Sequence, residues 1–389
     1  MNIRQIDDTY IAHTYARFPV ELRKGKGSLV WDTQGREYID LGSGIAVNGF
    51  GIADDAWQQA VIEQLGRLPH ASNLYYTEPC AKLAQMLCAR TGMRREFFGK
   101  SGAEANECLI KVARKYAAGK HGADCYTIVT LRNSFHGRTL TTLSATGQDH
   151  YHELYQPLTP GFAHIDPGDM AGLEALSRTT KLAAVLIECV QGEGGVVPLE
   201  AGFVHALADF CSANDVLLAV DEVQTGNGRS GQLYAYMTYG IRPDVVSTAK
   251  GLGGGLPIGA CLLGEKVQDV FAPGDHGSTF GGNPVSCAGG VSILSRIDEQ
   301  LLAGVRERSA LIFAELTGAP GVECVNGLGL MIGIKPVRPA REVVMRCMEN
   351  GVLCLTAKDR VRLLPALNIP MDQLKKAVGV LKAACAEQA

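Results

Sequence analysis

The chain has 389 residues, of which 46% are hydrophobic and 20% are charged, so it can bury a large core and is not a disordered protein. Its 37 Lys and Arg nearly balance its 40 Asp and Glu and form no long basic run, which argues against a nucleic-acid partner. The first residues lack the layout of a signal peptide, and no apolar run is long enough to cross a bilayer, so we expect a cytoplasmic protein with no membrane partner.

Most of the predicted strands lie in the middle of the chain. Before them, the first fifty residues contain two segments punctuated by turns, at 28–41 and 44–51, which either join a C-terminal domain or line a site. From about residue 95 to 265, short apolar runs rich in β-branched residues alternate with helical stretches. These runs lie at 126–130, 183–188, 216–222, 244–250 and 259–264. Buried strands of this length, separated by helices, predict an α/β fold whose mostly parallel sheet is covered by helices on both faces.

The last hundred residues have a different pattern. Helical periodicity near 290–316, 339–351 and 371–387 surrounds two short runs that are typical of strands. This pattern predicts a second, smaller α+β domain.

Glycine is in excess, with 46 residues or about 12% of the chain against about 7% in an average protein. Many glycines cluster at 191–195, 225–231, 251–255 and 280–282. Such clusters mark places where the backbone turns with positive φ or approaches a ligand, so we expect the site in the middle of the chain. The twelve cysteines never form a CxxC pair and lie mostly in apolar stretches, which predicts buried, reduced thiols.

Two glycine-containing motifs are poor matches to nucleotide-binding sites. Residues 226–231 read GNGRSG, but five residues separate them from the preceding strand, whereas a dinucleotide fingerprint follows its strand directly. Residues 99–101 read GKS, but a phosphate-binding loop also needs glycine where this chain has Arg94. His150 and His152 have neither an HExxH frame nor a carboxylate partner, so we expect loop histidines and no metal site.

Ser101 and Glu104 form a capping-box pattern ahead of a helical stretch. On its own this pattern indicates only a well-capped helix. The small residues between them, Gly102 and Ala103, allow a second interpretation, because they leave the N–H groups of the first turn accessible to a dianion such as a phosphate.

Three polar residues, Glu188, Asp221 and Lys250, each end one of the buried strand runs. Because the carboxyl ends of parallel strands line the ligand site, we expect these side chains there. A lone aspartate is often a helix cap and a lone lysine is often solvated, but the pair matches one cofactor. Pyridoxal 5'-phosphate (PLP) needs an amine for its Schiff base, a carboxylate beside its pyridine nitrogen and a helix start for its phosphate.

The motifs around these residues resemble those of a known family. They are SGAEANE at 101–107, SFHGRT at 134–139, ECVQGEGG at 188–195, DEVQTGNGR at 221–229, STAKGLGGGLPIGA at 247–260 and GSTFGGNP at 277–284. In this order they resemble the class III, ornithine-type aminotransferases, and within that family the acetylornithine group most closely. The resemblance extends from about Tyr15 to Pro365, nearly the whole chain.

The resemblance implies the type I fold of PLP-dependent transferases, with a large domain around the sheet and a smaller α+β domain. It implies that residues 53–288 form the large, cofactor-binding domain and that residues 289–389 form the small one. Residues 1–52 would contribute to the small domain and to the active site. The sites of this family are built across a subunit interface, so a homodimer is also implied.

Each motif position carries an implied role in holding the cofactor. Lys250 would form the Schiff base and Asp221 would hold the pyridine nitrogen. The remaining implied cofactor contacts are the backbone of Gly102 and Ala103 to the phosphate, the ring of Phe135 stacked on the cofactor, Gln224 near the phenolic oxygen, and Thr279 of the neighbouring subunit at the phosphate.

The implied substrate residues follow from charge. Arg138 would grip a substrate carboxylate through its planar fork, and Arg362 would grip a second one. Glu193 would be the movable partner of Arg362, which it neutralises for a donor with no second carboxylate and releases for 2-oxoglutarate. An alternative for Arg362 is a solvated strand arginine. Tyr15 and Ser278 are further pocket residues by position.

Two positions bear on the choice of substrate and on the cofactor contacts. Gly44 stands where ornithine aminotransferases carry a tyrosine that meets free ornithine, so its missing side chain leaves room for an acyl group. Gly99 and Lys100 depart from the family pattern, which has a small residue and Asn, and this leaves the local cofactor contacts open.

The resemblance implies a PLP-dependent transaminase that moves the terminal amino group of N2-acetyl-L-ornithine to 2-oxoglutarate, as arginine biosynthesis requires. The same chemistry on succinylornithine, succinyldiaminopimelate, acetyl-lysine, ornithine or 4-aminobutyrate is an alternative. An intramolecular aminomutase is a second alternative, and a binding protein without catalysis is a third. The Glu193 and Arg362 pair argues against the aminomutase, and the intact Asp221 and Lys250 argue against the binding protein.

Overall fold

The computed structural model describes residues 1–387. In chain order its strands are β1 (Leu22–Lys26), β2 (Leu29–Asp32), β3 (Glu37–Asp40), β4 (Arg95–Gly99), β5 (Thr127–Leu131), β6 (Phe162–Ile165), β7 (Leu182–Ile187), β8 (Val190–Gln191), β9 (Val197–Pro198), β10 (Leu217–Asp221), β11 (Val245–Thr248), β12 (Gly259–Leu263), β13 (Val322–Leu328), β14 (Met331–Pro336), β15 (Val352–Leu353), β16 (Leu355–Ala357) and β17 (Arg360–Leu363).

The helices connect and cover these strands. In chain order they are α1 (Ile3–Tyr10), α2 (Ser43–Ala46), α3 (Asp55–Arg67), α4 (Glu78–Thr91), α5 (Gly102–His121), α6 (Leu140–Ala145), α7 (Met170–Ser177), α8 (Ala201–Ala213), α9 (Tyr236–Tyr239), α10 (Pro284–Leu294), α11 (Glu299–Leu316), α12 (Ala340–Glu349) and α13 (Met371–Ala386). Two single-turn 3-10 helices lie at Asp149–Tyr151 and Lys250–Leu252.

A seven-stranded sheet forms the centre, in the order β4-β12-β11-β10-β7-β5-β6. The strands from β11 to β6 pair in parallel, and β12 runs antiparallel to both of its neighbours. The predicted, mostly parallel sheet is therefore confirmed. Each predicted run begins and ends within two residues of the ends of an observed strand. Four central strands, β7, β10, β11 and β12, are buried along their whole length.

Successive side chains of the central strands point to opposite faces of the sheet, and this explains why helices cover both faces. In β10, Leu217 and Ala219 pack in a core cluster with α5, whereas Leu218 and Val220 pack in a cluster with α8. Because successive side chains of a strand point to opposite faces, a wholly apolar strand needs a helix on each side.

The first fifty residues join the C-terminal part of the chain. The strands β1, β2 and β3 form an antiparallel sheet, and β3 pairs in parallel with β15. A further antiparallel sheet, in the order β13-β14-β17-β16, packs with α11, α12 and α13 around a second core. The predicted helical stretch near 290–316 is divided between α10 and α11, because Asp298 caps a new helix start by accepting the N–H of Leu301.

Two further properties bear on the expectations from composition. Within residues 1–387, no helix combines the length and the apolar character that crossing a bilayer demands. All twelve cysteines are free thiols, and nine of them are buried.

Candidate active site

The carboxyl ends of the central strands open into a cavity of about 480 Å³, a size that suits a small-molecule ligand. Asp221, the last residue of β10, lines this cavity together with Lys250, which follows β11. The two strands are parallel neighbours and pair Asp221 with Ser247, so both side chains emerge at one edge of the sheet. The structure thus brings together the two side chains on which the predicted cofactor site depends.

A buried network orients the Asp221 carboxylate. Its Oδ2 lies 2.7 Å from Nδ2 of Asn106 and 2.9 Å from Nδ1 of His136, and its Oδ1 accepts the N–H of Val223 at 2.9 Å. A carboxylate offers about four acceptor positions, so one position remains for a donor inside the cavity. Asn106 and His136 were missed as site residues by sequence reasoning, although both stand within quoted motifs.

Lys250 has a strained backbone, with a φ of 44° in the left-handed region that residues other than glycine rarely adopt. Nδ2 of Asn227 donates to Oγ1 of Thr248 at 3.0 Å and to the carbonyl of Ala249 at 3.2 Å, which fixes the preceding chain. Burial lowers the pKa of Lys250 to about 8, and the carboxylate of Glu193 partly opposes this shift. A useful fraction of the amine is therefore uncharged near neutral pH, as a nucleophile or proton acceptor requires.

The helix α5 begins at the cavity, and its predicted N-cap is confirmed. Oγ of Ser101 accepts the N–H of Glu104 at 3.1 Å. The second half of the predicted capping box does not form, because the Glu104 carboxylate instead accepts the N–H of Lys100 at 2.6 Å and pairs with its ammonium group at 2.7 Å. Gly99 makes this arrangement possible, since a Cβ at that position would lie 2.9 Å from Cβ of Glu104.

Gly102 and Ala103 form the first turn of α5 and line the cavity. A Cβ at Gly102 would lie 2.7 Å from Cγ1 of Val223, so glycine allows the helix start to approach the loop that follows β10. This turn, whose N–H groups have no partner within the helix, therefore lines the same cavity as Asp221 and Lys250.

Phe135 and Arg138 line another part of the cavity. The guanidinium carbon of Arg138 lies 5.5 Å from the ring centre of Phe135 and 4.1 Å from that of Tyr151. Within the described part of the chain, no carboxylate forms an ion pair with Arg138. Sequence reasoning did not single out Tyr151, since no motif includes it.

Arg362, on β17, is almost wholly buried and is paired with an acid. Its Nη1 lies 2.5 Å from Oε1 of Glu193 and 3.2 Å from Oε1 of Gln224. Burial alone would raise the pKa of Glu193, but the charge and hydrogen bond of Arg362, with the charge of Lys250 and the Gln224 hydrogen bond, together outweigh burial, and the pKa lies below its usual value. Because this arginine is 3% exposed, the alternative of a solvated strand arginine is wrong.

Glu188 is a further buried acid in the cavity that sequence reasoning placed at a strand end without assigning it a role. Its carboxylate accepts the N–H of Phe135 at 2.9 Å and of Gly192 at 3.3 Å. Burial raises the pKa of Glu188 to about 7. The side chain therefore ties the loop of Phe135 to the loop of Glu193.

Five predicted residues do not line the cavity of this chain. Arg362 and Glu193 are joined to its wall, since Arg362 contacts Gln224, which lines it. The other three are Tyr15, Thr279 and Ser278. Tyr15 is 73% exposed, and Thr279 is also exposed. Ser278 is half-buried, where its Oγ accepts the N–H of Gly281 at 3.0 Å. The role of Thr279 was predicted for a neighbouring subunit, and that prediction stays open here.

The turn α2 is left-handed, with φ between 47° and 64° at all four residues, including Gly44. Its entry is held by Asp40, whose Oδ1 accepts the N–H groups of Gly42 at 2.8 Å and Ser43 at 3.0 Å. Val47, directly after the turn, lines the cavity, whereas Gly44 does not. The predicted acyl space at Gly44 therefore stays a prediction.

The residues present fit PLP. Asp221 has a spare acceptor position for a ring N–H, and α5 presents N–H groups for a dianion. Phe135 offers an aromatic face, and Lys250 offers a buried amine with a lowered pKa. All of these groups line the same cavity, as one cofactor requires.

The chain is similar to known proteins over nearly its whole length. The sequence profile of the family described as "Aminotransferase class-III" matches residues 10–385. A protein of Haemophilus ducreyi named acetylornithine aminotransferase is 48% identical over 382 residues, which is 97% of this chain and 97% of that protein. A protein of Gloeobacter violaceus with the same name is 44% identical, covering 98% of this chain and 97% of its own.

Solved structures show the same fold. The N-acetylornithine aminotransferase of Stenotrophomonas maltophilia superposes with a TM-score of 0.83 at 36% identity, covering 98% of each chain. The ornithine aminotransferase of Toxoplasma gondii ME49 superposes with a TM-score of 0.93 at 32% identity, covering 98% of this chain and 94% of its own. With its site geometry and its matched length taken together, the chain belongs to the class III aminotransferase family.

Proposed function

We propose that this PLP-dependent transaminase transfers the terminal amino group of N2-acetyl-L-ornithine to 2-oxoglutarate. The products are N-acetylglutamate 5-semialdehyde and glutamate, as in arginine biosynthesis. Relatives named for the acetylated donor match nearly the whole chain. The observation that carries the proposal is the ion pair between buried Arg362 and half-buried Glu193, whose charges both act on the Lys250 amine.

Different residues of the chain would have different roles around the cofactor. PLP, when bound, supplies an electron sink for the charge left when a substrate carbon loses its proton. Asp221 would hold its ring nitrogen, and Gly102 and Ala103 would hold its phosphate. Lys250 would bind it and then act as general base and general acid, which a pKa of about 8 favours.

The two arginines explain how one cavity takes two unlike substrates. Arg138 has no acidic partner in the described residues, so it can receive the carboxylate that both substrates carry. Arg362 is neutralised by Glu193, which suits a donor whose second arm is uncharged. When 2-oxoglutarate enters, Glu193 would move aside and leave Arg362 to bind the second carboxylate.

We also propose that the protein is a homodimer in which Thr279 reaches the cofactor phosphate of the partner. Large apolar side chains are exposed beside this residue, with Leu74 at 87%, Tyr76 at 106% and Phe280 at 54%. Nδ2 of Asn73 donates to the carbonyl of Ser278 at 3.0 Å, so the two loops form one surface. An exposed apolar surface of this kind is typical of a protein interface.

Two further proposals rest on the architecture. The large domain would span residues 53–288 and the small domain 289–389, and the pairing of β3 with β15 supports the contribution of residues 1–52 to the small one. The twelve free thiols support a reducing compartment such as the cytoplasm.

The test of the proposed reaction is glutamate formation from 2-oxoglutarate with a panel of amines at low concentration. We expect the highest kcat/KM for N2-acetylornithine, with succinylornithine within about two orders of magnitude, because acyl-pocket differences are worth only ~1 to 3 kcal/mol. Free ornithine, 4-aminobutyrate or another amine ranking first would overturn the donor assignment. Donor conversion in the absence of 2-oxoglutarate through repeated turnovers would indicate an aminomutase.

Two variants test the assignments of Arg362 and Lys250 in the same assay. Arg362→Gln should raise the KM for 2-oxoglutarate by at least about tenfold, because a buried charged hydrogen bond to the substrate is lost. The KM for N2-acetylornithine should change much less. Lys250→Ala should abolish turnover of both substrates.

A further inference from the structure

Arg138 is held by aromatic faces rather than by hydrogen bonds or an acid. Its guanidinium carbon lies 4.1 Å from the ring centre of Tyr151 and 5.5 Å from that of Phe135. The two rings meet edge to face, with centres 5.9 Å apart and an angle of 69° between their planes. In residues 1–387, the Arg138 side chain has neither an ion pair nor a hydrogen bond to another residue.

This way of holding an arginine has a chemical consequence. A guanidinium group carries five N–H donors in its plane, and a stacked ring occupies only a face. Arg138 is therefore oriented while its donors stay free for a substrate carboxylate. A carboxylate partner in the protein would hold the arginine equally well, but it would compete with the substrate for the same donors.

Tyr151 is itself fixed to the loop that carries Arg138. It ends the 3-10 helix at Asp149–Tyr151, which follows Gly147 and Gln148. The N–H of Gly147 donates to Oγ of Ser134 at 3.0 Å, and Nε2 of Gln148 donates to the carbonyl of Ser134 at 3.0 Å. Ser134 directly precedes Phe135 and lies four residues before Arg138. These hydrogen bonds therefore hold the segment of Tyr151 against the segment of Arg138.

We propose that Tyr151 is a positioning residue that presents the donor fork of Arg138 to the α-carboxylate of the amino donor. The proposal rests on the proposed function, since it assigns that carboxylate to Arg138. The role of Tyr151 lies in the face of its ring and not in its phenolic hydroxyl. Loss of the ring should therefore weaken binding of carboxylate-bearing substrates and leave the chemical step unchanged.

The experiment compares Tyr151→Leu and Tyr151→Phe with two donors that differ only in one group. These donors are N2-acetylornithine and N-acetyl-1,4-diaminobutane, its counterpart without the carboxylate. For Tyr151→Leu we expect the KM for N2-acetylornithine to rise about 3- to 10-fold with kcat nearly unchanged, the range that one partly solvated cation–π contact gives. The KM for the decarboxylated donor should stay constant, and Tyr151→Phe should behave like the wild type.

Three results would overturn the proposal. They are an unchanged KM in Tyr151→Leu, an equal rise for both donors, and a Tyr151→Phe variant as impaired as the leucine variant. A wild-type enzyme that prefers another amine would refute only the proposed donor. The same comparison is then made with that amine and its decarboxylated counterpart, so the two conclusions fail separately.

Discussion

Lys250 has to be both buried and reactive, and its neighbours reconcile these demands. Desolvation lowers the pKa of its amine to about 8, while the carboxylate of Glu193 raises it and the charge of Arg362 lowers it. The Arg362–Glu193 pair therefore has a second effect besides substrate selection. Any change that moves Glu193 away from Lys250 makes the amine less basic.

This coupling predicts the pH dependence of cofactor binding. In the cofactor-free protein, the rate of PLP binding should rise with pH around a midpoint of about 8, since only the uncharged amine reacts. Glu193→Gln removes a charge that raises the pKa of Lys250 and leaves Arg362 unopposed, so the midpoint should move to lower pH. Stopped-flow absorbance measures this rate. Glu193→Asp, which keeps the charge, is the control, and a midpoint that moves upward in Glu193→Gln would contradict the coupling.

At the scale of elements, the approach of α5 to the loop after β10 determines the shape of the cofactor site. Gly102 permits this approach, because Val223 occupies the space where a side chain would lie. Val223 also donates its N–H to Asp221, so the same loop residue contacts both ends of the site. A methyl group at Gly102 would therefore displace either the helix start or the aspartate loop.

We predict that Gly102→Ala weakens cofactor binding. Overpacking costs about 1 to 3 kcal/mol, so the Kd for PLP should rise at least about fivefold. Val223→Ala alone should have little effect, and Gly102→Ala combined with Val223→Ala should regain most of the affinity, since the clash is with the valine methyl groups. Fluorescence titration of the cofactor-free proteins gives these constants. A double variant no better than Gly102→Ala would show that the steric account is wrong.

At the scale of the whole molecule, the proposed homodimer would give the exposed Thr279 a role in the site of the second subunit. Thr279 lies outside the cavity of its own chain, on the surface that Leu74, Tyr76 and Phe280 make apolar. Two such surfaces meeting around a two-fold axis would exchange Thr279 residues between sites.

Mixed dimers test this exchange. Lys250→Ala and Thr279→Asp homodimers should each be nearly inactive, the second because its carboxylate repels the phosphate. After the two are unfolded and refolded together in equal amounts, about a quarter of the wild-type activity should appear, because each hybrid then has one intact site. Turnover assays after separation by size report this recovery. If Thr279 served its own subunit, mixing would restore nothing.

The parts of the site that could be predicted from the sequence are those that follow a strand or start a helix. Asp221, Lys250 and Ser101 are of this kind, because strand ends and N-caps have local signals. Tyr151 could not be found in this way, since its role depends on a stack with a residue of another segment. The left-handed turn at Ser43–Ala46 was also unforeseen, because three of its four residues are not glycine.

The order of strands has a consequence for how the protein is made. β4, which leads directly into α5, lies at the edge of the central sheet and pairs only with β12 in that sheet. A nascent chain leaving the ribosome therefore cannot fix β4 in the sheet until β12 has been synthesised, although α5 already packs on β5, β7 and β10. Fragments that end before Gly259 would leave β4 unpaired, so we expect them to retain vitamin B6 less well than the full-length polypeptide.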